Sequence, residues 1–228
     1  MRWAEFYFSK VQELAAAGVK VVVQPTYLIE GAFRGYCGDT ELVMAGTHEE
    51  FDRTFVHEYS HFLQRFYRVC KWDATAFWYD VFDSNVSYEL GPDQFRYVCE
   101  EIQKCEVDAD KTAVKLMKKH KLPIDIKTCI RSANAYHLSY SYLAEIGEYH
   151  CVSDRSKAPF IIDDYMPDTF LKSYELTSEY RALFDELRKH SILERSRVSR
   201  VESKFSSYGY EEGVAARRKN VRKVRTNF

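Results

Sequence analysis

Two histidines four residues apart have the types and spacing that best suit chemistry in this chain. They open and close the H-E-x-x-H run from His57 to His61. Side chains four residues apart share one face of a helix, so both imidazoles can converge on a single metal ion. Glu58 follows the first histidine and can reach a metal-bound water without being a ligand. This arrangement suits hydrolysis, because zinc lowers the pKa of its bound water to about 7 and a carboxylate can then take the proton.

A hydrolytic zinc site also needs a third protein ligand and an open position for water. The residues after His61 do not continue as H-x-x-G-x-x-H, so this ligand must come from further along the chain. The best candidate is Glu106, four residues before Asp110 on a predicted helix, where neighbouring alanines would allow close helix packing. Asp110 could orient a ligating histidine through its other ring nitrogen. Glu100 and Glu101 are the nearest competitors and lack the neighbouring alanines.

Each of these residues also has an interpretation without chemistry. A chance H-E-x-x-H in a chain of this composition is expected on the order of one or two per cent of the time. The histidines would then lie incidentally on an exposed helix, and Glu106 would be a solvated carboxylate. The context favours a metal site, because the motif lies inside a helix with a predicted start and an apolar stripe.

The helix that carries the motif is predicted from its start and its spacing. Thr47, with Glu50 three residues later, fits a capping box. Aromatic side chains then recur every three or four residues, which is typical of a helix with one buried face. These are Phe51, Phe55, Tyr59, Phe62 and Phe66.

The remaining elements are predicted to be mostly helices. Four further helices are predicted, the first of them from apolar residues at helical spacing. Two short strands precede the metal helix, the first rich in β-branched residues. The predicted helices cover residues 3–17, 93–120, 127–150 and 168–192, the strands residues 19–23 and 40–44, and irregular segments residues 71–93 and 152–167.

The two motifs together resemble those of gluzincin metallopeptidases, which combine H-E-x-x-H on one helix with E-x-x-A-D on a second. Residues 53–63 look like the active-site helix of the ImmA/IrrE-type group, and residues 106–113 look like its glutamate helix. The resemblance covers roughly residues 40–118. It implies zinc, a peptide-bond substrate and a strand before the metal helix that pairs with the substrate backbone, here residues 40–44. The long aromatic segment between the motifs departs from the family, and nothing after residue 120 matches it.

A further group is needed for the tetrahedral oxyanion of peptide hydrolysis, which a Tyr or His donor often stabilises beside the metal. Tyrosines and histidines crowd the predicted helix over residues 127–150. Tyr142 and His150 are the predicted donors, although any one such residue is more often a core or surface side chain. The others on this helix are Tyr136, His137, Tyr140 and Tyr149.

We expect an α+β, mostly helical protein in which a zincin-like metallopeptidase core with a small sheet is followed by a helical C-terminal subdomain. The core would span residues 1–120, the subdomain residues 121–194 and a basic tail residues 195–228. The tail carries ten Lys/Arg and three Glu, a balance of 10 − 3 = +7. Such charge runs are most often solvated, and contact with nucleic acid or an acidic partner is the alternative.

Composition narrows the broad class. Apolar residues make up 46% of the chain, which excludes wholesale disorder, and the formal charge of −1 implies no nucleic-acid partner for the chain as a whole. No run approaches ~18 apolar residues, so no membrane span is predicted. The opening residues do not predict a secretory segment, and the six cysteines form no C-x-x-C pair. We therefore expect a cytoplasmic protein with reduced thiols.

These observations together predict a zinc metalloendopeptidase that acts on a protein or peptide substrate. Its ligands would be His57, His61 and Glu106, with Glu58 as the general base. The alternative is a structural or binding protein on the same scaffold. In that case zinc would only brace the fold, and the basic tail would contact nucleic acid or a larger assembly.

Overall fold

The computed structural model describes residues 2–29, 34–66, 91–147 and 162–198, with side chains described up to residue 189. This part of the chain is mostly helical with one small sheet, which confirms the α+β class. Residues 1–188 form one compact unit and residues 189–228 a second. The predicted division after residues 120 and 194 stays a prediction. The elements are α1 (Trp3–Ala16), β1 (Lys20–Gln24), β2 (Gly35–Cys37), β3 (Glu41–Ala45), α2 (Phe51–Phe66), α3 (Pro92–His120), α4 (Ile126–Ile146), a 3-10 turn (Ile162–Tyr165) and α5 (Ser178–Val198).

The sheet has the order β1-β3-β2. Strand β3 lies in the centre, parallel to β1 and antiparallel to β2, with Val43 opposite both Val22 and Tyr36. The expectation that residues 40–44 form the substrate-pairing strand is therefore wrong, because both edges of β3 are already hydrogen-bonded. Strand β2 is not among the strands predicted from the sequence, since three residues containing one glycine carry too little strand pattern to be recognised.

Helix α2 is held from behind by α1 through an aromatic cluster. The rings of Tyr7 and Phe55 lie 4.6 Å apart between centroids, and Trp3 meets Phe55 edge-on at 6.0 Å. Phe6 and Phe55 are fully buried. Burial of side chains of this size contributes roughly 1.5–3 kcal/mol each. The apolar stripe of α2 therefore determines which of its faces turns away from α1.

Helices α3 and α4 are joined by a tight connection. Lys121 adopts a left-handed conformation with a φ of 51° and ends α3, and its backbone N–H donates to the carbonyl groups of Met117 and Lys118. The side chain of Asp125 then accepts hydrogen bonds from two backbone N–H groups of the first turn of α4. Because the connection is short, α4 packs along α3 and can reach the face that carries Glu106 and Asp110.

The motif helix begins later than the capping box at Thr47 predicts. Helix α2 starts at Phe51, and the N–H of Glu50 donates to Nδ1 of His48 at 3.0 Å. The imidazole of His48 therefore accepts a hydrogen bond in the turn before the helix, where the prediction placed the side chain of Thr47.

The last described helix also begins later than expected, at Ser178 rather than near residue 168. The buried amide of Asn134 explains the difference. It donates to the carbonyl groups of Pro167 and Thr169 and accepts from the N–H of Leu171. These bonds hold residues 167–171 in a non-helical course along α4.

The predicted aromatic segment and the absence of a predicted membrane span concern other parts of the chain. Of the aromatic segment 71–93, residues 71–90 lie outside the described residues. Among the residues that are described, no helix is long and apolar enough to cross a membrane.

Candidate metal centre

Helix α2 places the two motif histidines side by side. The Nε2 atoms of His57 and His61 lie 3.0 Å apart, and the two rings meet edge-on with their centroids 4.6 Å apart. This follows from the four-residue spacing on one helix face. Because α1 packs against the opposite side of α2, this face turns toward α3.

Glu106 of α3 completes the group. Its Oε2 lies 3.3 Å from Nε2 of His57, and its Oε1 lies 3.5 Å from Nε2 of His61. One ligand atom from each of the three residues lies within 4.8 Å of the others, so the group could hold a metal ion. Glu100 and Glu101, the other carboxylates considered as the third ligand, are not part of this group. Glu100 is exposed, and Glu101 pairs with Lys104 at 2.7 Å.

The three candidate ligands can bind a cation because the proton of the His57 ring lies on the nitrogen that faces away from the group. Oδ1 of Asp110 lies 2.8 Å from Nδ1 of His57. An ionised carboxylate can only accept, so Nδ1 carries the proton and Nε2 presents a lone pair to the cluster. A second imidazole nitrogen and a carboxylate face the same point. Such a set of electron-rich atoms repels itself unless a positive charge lies among them.

In the protein without metal, protons supply that charge. Burial alone would lower the pKa of His57, but the carboxylates of Asp110 and Glu106 outweigh it and raise the pKa well above 6.5. Burial would likewise raise the pKa of Glu106, but the two histidines lower it to about 2. Burial is likewise outweighed by oppositely charged neighbours at the other two residues, so the pKa of His61 is raised and that of Asp110 lies well below 3.8. The carboxylates therefore favour protons on the imidazoles, and a metal ion can replace those protons as the source of positive charge.

Glu58 lies beside this group without belonging to it. Its side chain is 7% exposed, and burial raises its pKa, while the two neighbouring histidines act in the opposite direction. Strand β2 passes directly over it. A Cβ atom built on Gly35 would lie 3.1 Å from Cγ of Glu58 and 3.0 Å from Cγ2 of Thr54. The absence of a side chain at Gly35 therefore allows this close approach of strand and helix.

The predicted oxyanion donors are located as follows. The hydroxyl of Tyr142 donates to Oδ1 of Asp185 at 2.8 Å, and its ring stacks on Phe184, which places the residue between α4 and α5. Burial, with the nearby Asp185, raises the pKa of Tyr142 to about 12. His150 lies outside the described residues. The donor role of both residues stays a prediction.

Two further residues lie at the centre; Gln64 was not predicted from the sequence, and His137 was named only among several possible oxyanion donors. His137 of α4 is fully buried, and its Nε2 lies 3.2 Å from Oδ2 of Asp110, although the alignment falls short of a hydrogen bond. Gln64 of α2 is 2% exposed and contacts His61. The only signal for Gln64 was its position three residues after His61, on the same helix face. No spacing signal links His137 to Asp110, because the link depends on the turn between α3 and α4.

Comparison with known proteins provides no relative from which a function could be transferred. No family model, no curated protein and no solved structure matches this chain. The geometry of the site is therefore the basis for assigning its chemistry.

Proposed function

We propose that this chain is a zinc-dependent metallopeptidase of the gluzincin type, acting on protein or peptide substrates. One observation carries the proposal. The ligand atoms of His57, His61 and Glu106 converge from two helices, while the buried carboxylate of Glu58 lies beside them and outside the ligand set. That division between ligands and a separate base is what metal-assisted hydrolysis requires.

The chemistry of the donors supports zinc. Two imidazole nitrogens and one carboxylate are a ligand set found in catalytic zinc sites, in which a fourth position stays open. Hard cations such as Mg²⁺ and Ca²⁺ prefer oxygen donors throughout. A zinc ion bound here would supply an acidic water and a polarised substrate carbonyl.

Glu58 is proposed to move the proton. As an ionised carboxylate it would take a proton from the attacking water and pass it to the departing amine. Its burial raises the pKa, which makes the carboxylate a stronger base than it would be in water. Gly35 of β2 lies against the side chain and restricts where it can point. Asp110 would hold His57 with Nε2 toward the metal.

Strand β2 is the proposed substrate-side strand. One of its edges pairs with β3, and no strand among the described residues pairs with the other. An extended peptide could add as a further strand on that side of β2 through backbone hydrogen bonds. Because Gly35 of this strand lies over Glu58, a peptide bound there would pass close to the proposed base. This placement favours a peptide over a compact small-molecule substrate.

The proposal is tested with Glu58→Gln, which keeps the shape of the side chain and removes its basicity. We expect wild type and variant to bind about one zinc per chain, and wild type to cleave members of a random peptide library. The variant should cleave at least about 10²-fold more slowly, because it lacks the general base. Zinc is measured by elemental analysis and cleavage by mass spectrometry.

Glu101→Gln is the matched control, because Glu101 is also a buried carboxylate but pairs with Lys104 away from the ligands. It should cleave at the wild-type rate. Equal cleavage by wild type and Glu58→Gln would remove Glu58 as the base. Zinc bound by wild type without cleavage of any library member would favour a metal that only braces the fold.

A further inference from the structure

Gln64 connects the second histidine of the motif to helix α3. Its Oε1 lies 2.9 Å from Nδ1 of His61. Its Nε2 donates to the backbone carbonyl of Cys105 at 2.7 Å and to Oδ2 of Asp108 at 2.9 Å. The side chain is almost fully buried, so these three contacts account for both ends of the amide.

The partners at the nitrogen end determine which way the amide faces. A backbone carbonyl and an ionised carboxylate can only accept hydrogen bonds. If the amide were reversed, its oxygen would lie 2.7 Å and 2.9 Å from two other acceptor oxygens with no hydrogen between them, which is repulsive. The NH₂ group must therefore point toward α3, and the oxygen must point toward His61.

The orientation of the amide in turn determines the protonation of the ring. An amide oxygen has no hydrogen to donate, so Nδ1 of His61 must be the donor in this contact. In the neutral imidazole the other nitrogen, Nε2, then carries a lone pair. That lone pair is directed at the group it forms with His57 and Glu106.

We infer that Gln64 is a positioning residue that holds His61 in the tautomer able to bind a metal through Nε2. Two acceptors on α3 orient the amide, and the amide orients the ring. His61 is thereby supported by a neutral group, whereas His57 is supported by the carboxylate of Asp110. The inference rests on the proposed metal site.

Gln64→Met tests this role, because methionine has a similar size and no hydrogen-bonding amide. We expect the zinc dissociation constant to rise about 10–100-fold, the range for loss of a group that supports a metal-binding histidine. It is measured by competition with a chromophoric chelator. The Nδ1–H proton of His61 in the zinc-loaded, ¹⁵N-histidine-labelled protein should lose its protection from exchange with water.

Gln103→Met is the matched control. Gln103 is a partly buried glutamine whose Nε2 donates to the carbonyl of His137 at 2.6 Å and to Oγ of Ser141 at 2.8 Å. It bridges two helices with the same number of donated bonds but does not touch an imidazole ligand. We expect this variant to lower the melting temperature without changing zinc affinity or the His61 proton.

A second variant keeps the test decisive if Gln64→Met does not fold. In the double variant Gln64→Glu with Asp108→Asn, a carboxylate faces His61 and the donor moves to position 108. The acceptor for Nδ1 is restored, so zinc affinity should return to within a few-fold of wild type. Gln64→Glu alone loses the donors toward Cys105 and Asp108 and should be weaker than the double variant.

The outcomes separate this inference from the proposed function. Wild-type zinc affinity and an unchanged His61 proton in Gln64→Met would overturn the role of Gln64 and leave the metallopeptidase proposal standing. Absence of zinc binding by the wild-type protein would overturn both. Zinc binding that depends on Gln64 in a protein that cleaves nothing would support the inference and count against the hydrolase.

Discussion

At the scale of single residues, the ion pairs around His57 link the stability of the metal-free protein to pH. The pKa of His57 is raised well above 6.5 in the folded protein, and that of Asp110 is held well below 3.8. Because the pKa of His57 is higher in the folded protein than in the unfolded chain, His57 stabilises the fold fully at pH values below its unfolded pKa. This contribution is lost as the pH rises through its folded pKa. Because the pKa of Asp110 is lower in the folded protein, Asp110 stabilises the fold fully at pH values above its unfolded pKa. This contribution is lost as the pH falls through its folded pKa. The pair therefore contributes fully between about pH 3.8 and pH 6.5.

We expect the metal-free wild type to melt at a higher temperature than metal-free Asp110→Asn, and the difference to be largest in that window. The difference should shrink above it, because His57 loses its proton and the ion pair disappears. Calorimetry from pH 4 to pH 9 in the presence of a chelator measures it. Asp125→Ala is the control, since Asp125 caps α4 through backbone N–H groups and its effect should persist at high pH. A difference for Asp110→Asn that is constant across this range would contradict the ion pair.

At the scale of elements, the close packing of β2 on α2 positions the proposed base. Gly35 has no side chain where one would meet Met44, Thr54 and Glu58 at 3.0–3.1 Å. Met44 can shift because its side chain is flexible, but Thr54 is β-branched and held on the helix. A methyl group at position 35 would therefore move either the strand or the side chain of Glu58.

We expect Gly35→Ala to destabilise the protein by about 1–3 kcal/mol, the usual cost of adding atoms to a packed interior. It should slow peptide cleavage more than it weakens zinc binding, because Glu58 is displaced and the ligands are not. Gly91→Ala serves as the control, since nothing lies within 4 Å of a Cβ atom there. Denaturant unfolding, zinc titration and cleavage rates distinguish the effects. Cleavage at the wild-type rate would show that β2 does not position the base.

At the scale of the whole molecule, the metal site joins helices that the core already holds. The buried cluster that contains Phe6, Phe55 and Met117 includes side chains from α1, α2 and α3. These contacts do not depend on His57, His61 or Glu106. The fold should therefore survive loss of metal, and bound metal should add to its stability by binding only the folded state.

We expect removal of zinc by a chelator to leave the helical circular-dichroism signal in place and to lower the melting temperature. Zinc at a free concentration a thousand times its Kd should restore about 4 kcal/mol. The variant His57→Ala should show almost no zinc-dependent shift, because it lacks one of the three ligands. An equal shift in wild type and His57→Ala would place the metal elsewhere.

The basic tail over residues 195–228 lies almost entirely outside the described residues, and its contact with nucleic acid and the cytoplasmic location stay predictions.

What the sequence determined by itself is local in origin. The apolar stripe of α2 and the spacing of His57 and His61 depend only on the helical repeat, so both were predictable without a fold. The four-residue spacing of Glu106 and Asp110 likewise indicated one helix face with two roles. The strands β1 and β3 followed from runs of apolar and β-branched residues. The sequence carried no comparable local signal for β2, which is only three residues long.

The tertiary structure decided every feature that depends on how one element is placed against another. It made β3 the central strand and placed β2 at one side of the sheet that the described residues form. It made α5 begin later than predicted, because the side-chain amide of Asn134 donates hydrogen bonds to backbone carbonyl groups of the preceding segment. It also brought Gln64 to Cys105 and His137 to Asp110. A hydrogen bond between distant residues depends on the rotation and offset of two packed helices, and no repeat along one helix contains that information.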